Sequence, residues 1–75
     1  MEEALITLLK EIRPDIDFEK EKELIDGSVL DSFDIISIVQ ALDDNFGVII
    51  DADDLEPANF NSYEAMLELI KRKKA

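Results

Sequence analysis

Cysteine, histidine and tryptophan are all missing from this 75-residue chain. Without cysteine there is no disulfide, no thiolate metal site and no thiol nucleophile. Without histidine, the commonest general base and the commonest metal ligand are gone together. Glycine and proline occur only twice each, which excludes a glycine-rich phosphate loop. No apolar run reaches the length of a membrane span, and Met1-Glu2-Glu3 lacks the basic start of a signal peptide. One small domain over residues 1–75 is therefore expected, soluble and cytoplasmic, with no membrane insertion and a thin core.

Positive charge is missing from the middle of the chain. The eight basic residues are Lys10, Arg13, Lys20, Lys22, Lys71, Arg72, Lys73 and Lys74, and from Glu23 to Ile70 there are twelve acidic residues and no basic one. The net charge is −11. Such a field repels nucleic acid and anionic membranes and favours basic partner surfaces. An acidic surface that only maintains solubility is the simpler reading of composition; the unbroken acidic run favours docking.

What is present is helical periodicity. Ala4, Leu5, Leu8, Leu9 and Ile12 recur at helical spacing from Glu2 to Arg13, and Pro14 stops that helix. Asp15 to Val29 is a long connection with isolated apolar anchors at Ile16, Phe18, Leu24, Ile25 and Val29, and Gly27-Ser28 reads as a turn. A second helix is expected from Ser32 to Phe46, capped by Asp31 with Asp34 in the capping-box position and ended by Gly47. Its core stripe is Ile35, Ile38, Val39, Leu42 and Phe46. Phe33 and Ile36 lie off that stripe, near Gln40, as a contact surface or as residues covered by the preceding loop. Val48-Ile49-Ile50 reads as extended chain, and Asp51 to Phe60 as a short irregular helix. Asn61 or Ser62 caps a final helix, Glu64 completing a box from Asn61, with a stripe of Tyr63, Met66, Leu67 and Ile70. The basic residues Lys71–Lys74 are read as complementing that helix's dipole rather than as a nucleic-acid or membrane tag. The fold class is all-α: a small bundle of three main helices plus a short third helix, with a long loop between helices one and two.

Little enzymatic chemistry is possible with these residues. Ser32 has no base beside it, since Asp31 and Asp34 are acidic neighbours in a solvated setting. The acidic cluster Asp43, Asp44, Asn45, Asp51, Asp53 and Asp54 fails as an EF-hand, because a loop begun at Asp43 puts Val48 where glycine is required and Asp54 where a bidentate Glu is required. No catalytic and no metal residues are assigned. What remains is a serine for another enzyme to modify, because a hydroxyl at a helix start suits a phosphodiester.

The run Asp26-Gly27-Ser28-Val29-Leu30-Asp31-Ser32-Phe33, followed by an acidic amphipathic helix that closes on Ala41-Leu42-Asp43-Asp44-Asn45-Phe46, resembles the acyl carrier protein family. The resemblance covers nearly the whole chain. It implies that Ser32 carries covalent 4′-phosphopantetheine, installed from coenzyme A by a phosphopantetheinyl transferase, with Asp31 helping to position the coenzyme. The arm's thiol would hold an acyl or aminoacyl cargo as a thioester, which explains how a chain without cysteine could carry one. A loading ligase and acyl-transfer enzymes with basic surfaces would dock on Phe33, Asp34, Ile36, Gln40, Asp43, Asp44, Asp51, Asp53 and Asp54. The expected carrier is a monomer and not itself an enzyme. Phe33 in place of the commoner leucine, Gly47 after Phe46 and a longer Leu55–Phe60 segment depart from fatty-acid carriers. The Asp-Gly-x-x-Leu-Asp-Ser approach is more similar to stand-alone aminoacyl carriers, D-alanyl carriers included, or to polyketide-type carriers. The rival expectation is an unmodified acidic helical interaction module.

Overall fold

Two breakers and two caps divide the chain. In the computed structural model, which describes residues 2–74, the order is α1 (Glu2–Ile12), α2 (Ser32–Phe46), one 3-10 turn (Ala52–Asp54), α3 (Pro57–Phe60) and α4 (Tyr63–Lys74). Met1 and Ala75, the ends of the expected domain, lie outside the described residues. There is no strand among the described residues, and no helix is long and apolar enough to cross a membrane. The all-α bundle of three main helices and one short one is therefore what the chain forms. It measures 29 × 24 × 19 Å, with α1 packed on both α2 and α4, and α3 on α4.

Each long helix contributes one stripe to a common core. Leu5 and Leu9 come from α1, Ile38 and Leu42 from α2, and Met66, Leu69 and Ile70 from α4. Phe60 from α3 and Val48 close the far side. Burial of each such side chain stabilises by about 1.5–3 kcal/mol. Leu69 joins the α4 stripe beyond the expected set, while Tyr63 and Leu67 are only partly buried and Ala4 is exposed.

The long loop is part of the core rather than a cover for it. Phe18 and Leu24 are fully buried, and Ile16 and Leu30 nearly so. Leu24 is also the backbone pivot: its carbonyl accepts from the N–H groups of Val29 and Leu30 at 3.0 and 2.9 Å, and its own N–H donates to the Asn61 carbonyl at 2.9 Å. The Gly27-Ser28 turn forms as expected, with the two residues in unequal roles. Gly27 is required by space, since a Cβ there would lie 2.7 Å from the Glu23 carbonyl oxygen. Ser28 takes the left-handed conformation, at φ 58°.

The Asn61/Ser62 alternative resolves to Ser62. Its Oγ accepts from the Ala65 N–H at 3.1 Å, as an N-cap does. Asn61 instead pins the loop: its Oδ1 accepts from the Ile25 and Asp26 N–H groups, both at 3.0 Å, and its Nδ2 donates to Asp26 at 2.9 Å. The expected Asn61–Glu64 box does not form, and Glu64 pairs with Lys22. The expected single irregular helix over 51–60 is two pieces, because Pro57 starts a new helix at its first position while Leu55 leaves helical geometry.

Candidate functional site

The start of α2 is fixed by three charged side chains. Asp31 is extended (φ −102°, ψ −177°), and its Oδ1 accepts from the Asp34 N–H at 2.9 Å. In return Asp34 Oδ2 accepts from the Asp31 N–H at 3.1 Å, which completes the expected box. The same oxygen accepts from Arg13 Nη1. Arg13 in turn grips Asp15 with two bonds, Nε to Oδ1 at 3.0 Å and Nη2 to Oδ2 at 2.9 Å, and this pairing holds the Asp15 carboxyl below the usual carboxylate range. The Ile35 N–H donates to the Asp31 carbonyl at 3.1 Å, so Ser32 and Phe33 keep the N–H groups without a protein acceptor among the described residues.

Ser32 is exposed on this first turn. Beside it Phe33 is 81% exposed and Ile36 65%, so the preceding loop does not cover Phe33. Between α2 and α3 runs a groove of about 280 Å³, and Ser32 is part of its wall. The other walls are Ile25, Ile35, Ile36, Leu55, Pro57 and Phe60, with Glu56 as the charged member. Ile35 was expected in the core stripe with Ile38, Val39, Leu42 and Phe46. It is only half-buried and turns to this groove, because α3 stands off from the first turns of α2. The groove residues Ile25, Leu55, Pro57 and Phe60 come from two segments 30 residues apart with no shared period, and nothing in the sequence groups them with Ser32.

The expected docking residues fall into three settings. Gln40, Asp43 and Asp44 lie exposed along α2, with Gln40 Nε2 donating to Asp44 Oδ1 at 3.3 Å. Asp53 is exposed as well, and among the described residues none of Asp43, Asp44 and Asp53 has a cation within ion-pair distance. Asp51 and Asp54 are already paired: Lys73 Nζ lies 3.5 Å from Asp51 and 2.7 Å from Asp54. The Lys73 ammonium, with the Asp51 N–H second, holds the Asp54 carboxyl below its ordinary range. Asp34 is a correction. It is 9% exposed and spends its carboxylate on Arg13 and Asp31, so it builds the helix start and does not present a charge to a partner.

The basic tail has a second role beyond its own dipole. Lys73 pairs with Asp51 and Asp54, Lys74 Nζ donates to the Phe46 carbonyl at 2.7 Å, and Arg72 Nη2 donates to Asn59 Oδ1 at 2.9 Å. Three of the four tail cations thus tie α4 to its surroundings: Lys74 to the far end of α2, Lys73 to the 3-10 turn and Arg72 to α3. Compared with family models, curated proteins and solved structures, the chain matches none of them.

Proposed function

We propose that the chain is a carrier protein of the acyl carrier type, with Ser32 as the attachment point of 4′-phosphopantetheine and an acyl or aminoacyl thioester as cargo. One observation carries the reading: an exposed serine hydroxyl on a firmly capped helix start, in the wall of an apolar groove. The fit to the arm is chemical. A phosphodiester on Ser32 Oγ would sit at the positive end of α2, beside the free Ser32 and Phe33 N–H groups. The groove offers apolar surface to whatever the arm bears, next to its point of attachment. When bound, the arm supplies the thiol that this chain lacks.

In the modification Ser32 Oγ would form the bond to the phosphorus that bears the pantetheine arm as the pyrophosphate bond of coenzyme A breaks. The adenosine bisphosphate half would leave, and the hydroxyl proton would pass to a base of the transferase or to water, since this chain places no base there. The chain's own residues contribute placement. Asp31 and Asp34 fix the first turn, Phe33 and Ile36 give apolar contact around the hydroxyl, and Gln40, Asp43, Asp44 and Asp53 present an acidic face to basic enzymes. The partners on this reading are a phosphopantetheinyl transferase, a loading ligase and acyl-transfer enzymes, met by a cytoplasmic monomer.

The test is intact mass after incubation with coenzyme A, magnesium and a broad-specificity transferase, with Ser32→Ala in parallel. A gain of one arm on the wild type alone is expected. No gain on a folded wild type overturns the reading. It would leave an unmodified acidic interaction module, which the cation-free Asp43, Asp44 and Asp53 and the exposed Phe33 also suit. In that case charge reversal at Asp43 and Asp44 would abolish partner binding and Ser32→Ala would not.

A further inference from the structure

Capping boxes ordinarily place Glu or Gln at the third helical position, because the side chain must reach back to the cap residue's N–H. Here that position is Asp34, one methylene shorter, and its box is nevertheless closed at 3.1 Å. The same Asp34 oxygen that accepts from the Asp31 N–H also accepts from Arg13 Nη1, and Arg13 is itself locked by two bonds to Asp15. Arg13 follows directly on α1, its N–H still bonded to the Leu9 carbonyl at 2.9 Å. Its guanidinium therefore spans from the end of one helix to the start of another, 21 residues on. It is also the only cation that meets the α2 start among the described residues.

We infer that Arg13 is a positioning residue for Ser32: it holds the short Asp34 side chain in the capping box and so fixes the turn on which the serine is presented. The rigid two-nitrogen fork matters as well as the charge. One edge binds Asp15 and the remaining nitrogen reaches Asp34, an arrangement that a lysine ammonium, as a single point, does not reproduce. Without the fork, the Asp34 carboxylate is drawn toward water, the Asp31 N–H loses its acceptor, and the first turn frays. Ser32 stays exposed but loses its fixed direction. A misplaced nucleophile reacts slowly even where the binding surface is intact. The role in modification rests on the carrier reading; the coupling of Arg13 to the helix start does not.

The experiment has two arms on the full chain, with Arg13→Met, Arg13→Lys and the double variant Arg13→Met/Asp34→Glu. In the first, amide hydrogen exchange is read without any enzyme. Protection of the Asp31 and Asp34 amides should fall roughly tenfold in Arg13→Met, with the Met66–Ile70 amides of α4 unchanged. Arg13→Lys, which keeps the charge and loses the fork, should behave more like Arg13→Met than like the wild type. The longer Glu at position 34 reaches the cap unaided and should restore protection. In the second arm, the rate of arm transfer from coenzyme A should fall through kcat, with KM for coenzyme A unchanged, and recover in the double variant.

Unchanged Asp31 and Asp34 protection in Arg13→Met overturns the coupling. An equal loss in α4 with no recovery in the double variant reduces Arg13 to general stability and overturns positioning. Lost protection with an unchanged transfer rate overturns positioning while the coupling stands. No modification of the wild type removes the carrier reading, and the positioning role with it, and the exchange data still decide whether Arg13 holds the box.

Discussion

The two ends of α2 are held in opposite ways. At Ser32 the helix is fastened by side chains: Asp31 and Asp34 satisfy each other's N–H groups, and Arg13 secures the pair from outside. At Phe46 it is fastened by backbone and by one distant cation. Gly47, at φ 66°, donates its N–H to the Asp43 carbonyl at 2.9 Å, Val48 donates to the Leu42 carbonyl at 3.3 Å, and Lys74 reaches the Phe46 carbonyl. Carboxylates sit at the positive end of the dipole and an ammonium at the negative end, so both fastenings work with the helix. Asp43 and Asp44, in the last turn of α2, oppose the dipole, so the fastening at that end offsets a local charge that the first turn does not have to bear. One end keeps its serine and two N–H groups open, and the other end is closed.

The strongest way to break this comparison is through the middle. Leu42 is fully buried in the core that α2 shares with α1 and α4, and Leu42→Ala should cost about 2–5 kcal/mol. It should unfold the two ends together, as one transition in urea followed by circular dichroism; two transitions would mean that the ends are independent. Next come the caps themselves. Asp31→Ala should cost about 1 kcal/mol and expose the amides of residues 31–35 to exchange while those near Gly47 keep their protection. Gly47→Ala should cost about 1 kcal/mol and do the reverse. Nothing lies within 4 Å of a Cβ at Gly47, so its cost is backbone conformation alone. If either variant loosens both ends equally, the distinction fails.

The smallest effect sharpens the comparison through pH. Lys73 holds the Asp54 carboxyl below its ordinary range. A carboxyl depressed in the folded state contributes stability that is present at neutral pH, above its unfolded value, and lost as pH falls through the folded value. In Lys73→Met the Asp54 carboxyl should titrate closer to an ordinary aspartate by carbon-detected NMR, and the acid limb of unfolding should begin at slightly higher pH. An Asp54 titration that does not move would show that Lys73 is not its partner in solution.

Most of the frame is legible in the sequence because it is written in local signals. Pro14 and Gly47 end helices, Asp31 begins one, and the three-and-four spacing of Ile38 and Leu42 marks the buried face. These are short-range rules, and the structure follows them. Where sequence reading departs from the structure, the deciding contact is long-range. Asp34 looks like one more acidic docking residue until Arg13, 21 positions earlier, is found on it. Asn61 looks like a cap and is instead a pin for a loop 35 and 36 positions away. Ile35 follows the core period and lines the groove, because periodicity says which side a residue faces and not whether another element arrives there. The groove itself, assembled from Ile25, α2 and the Leu55–Phe60 segment, has no signal in the chain at all.

If basic partners dock on this acidic surface, the fold-back of Lys73 onto Asp51 and Asp54 would set how long they stay. A basic surface that bound Asp43 or Asp44 would add a counter-ion where the described residues supply none. One that bound Asp51 or Asp54 would have to trade places with Lys73, which waits on its tether to return. Net gain from such an exchange would be small, and release would be assisted from within the molecule. On that reading the acidic surface would have two halves, Asp43 and Asp44 without an internal cation among the described residues and Asp51 and Asp54 with one. On the docking reading, Lys73 would compete with a partner's cation for Asp51 and Asp54, weakening that contact and shortening its lifetime together.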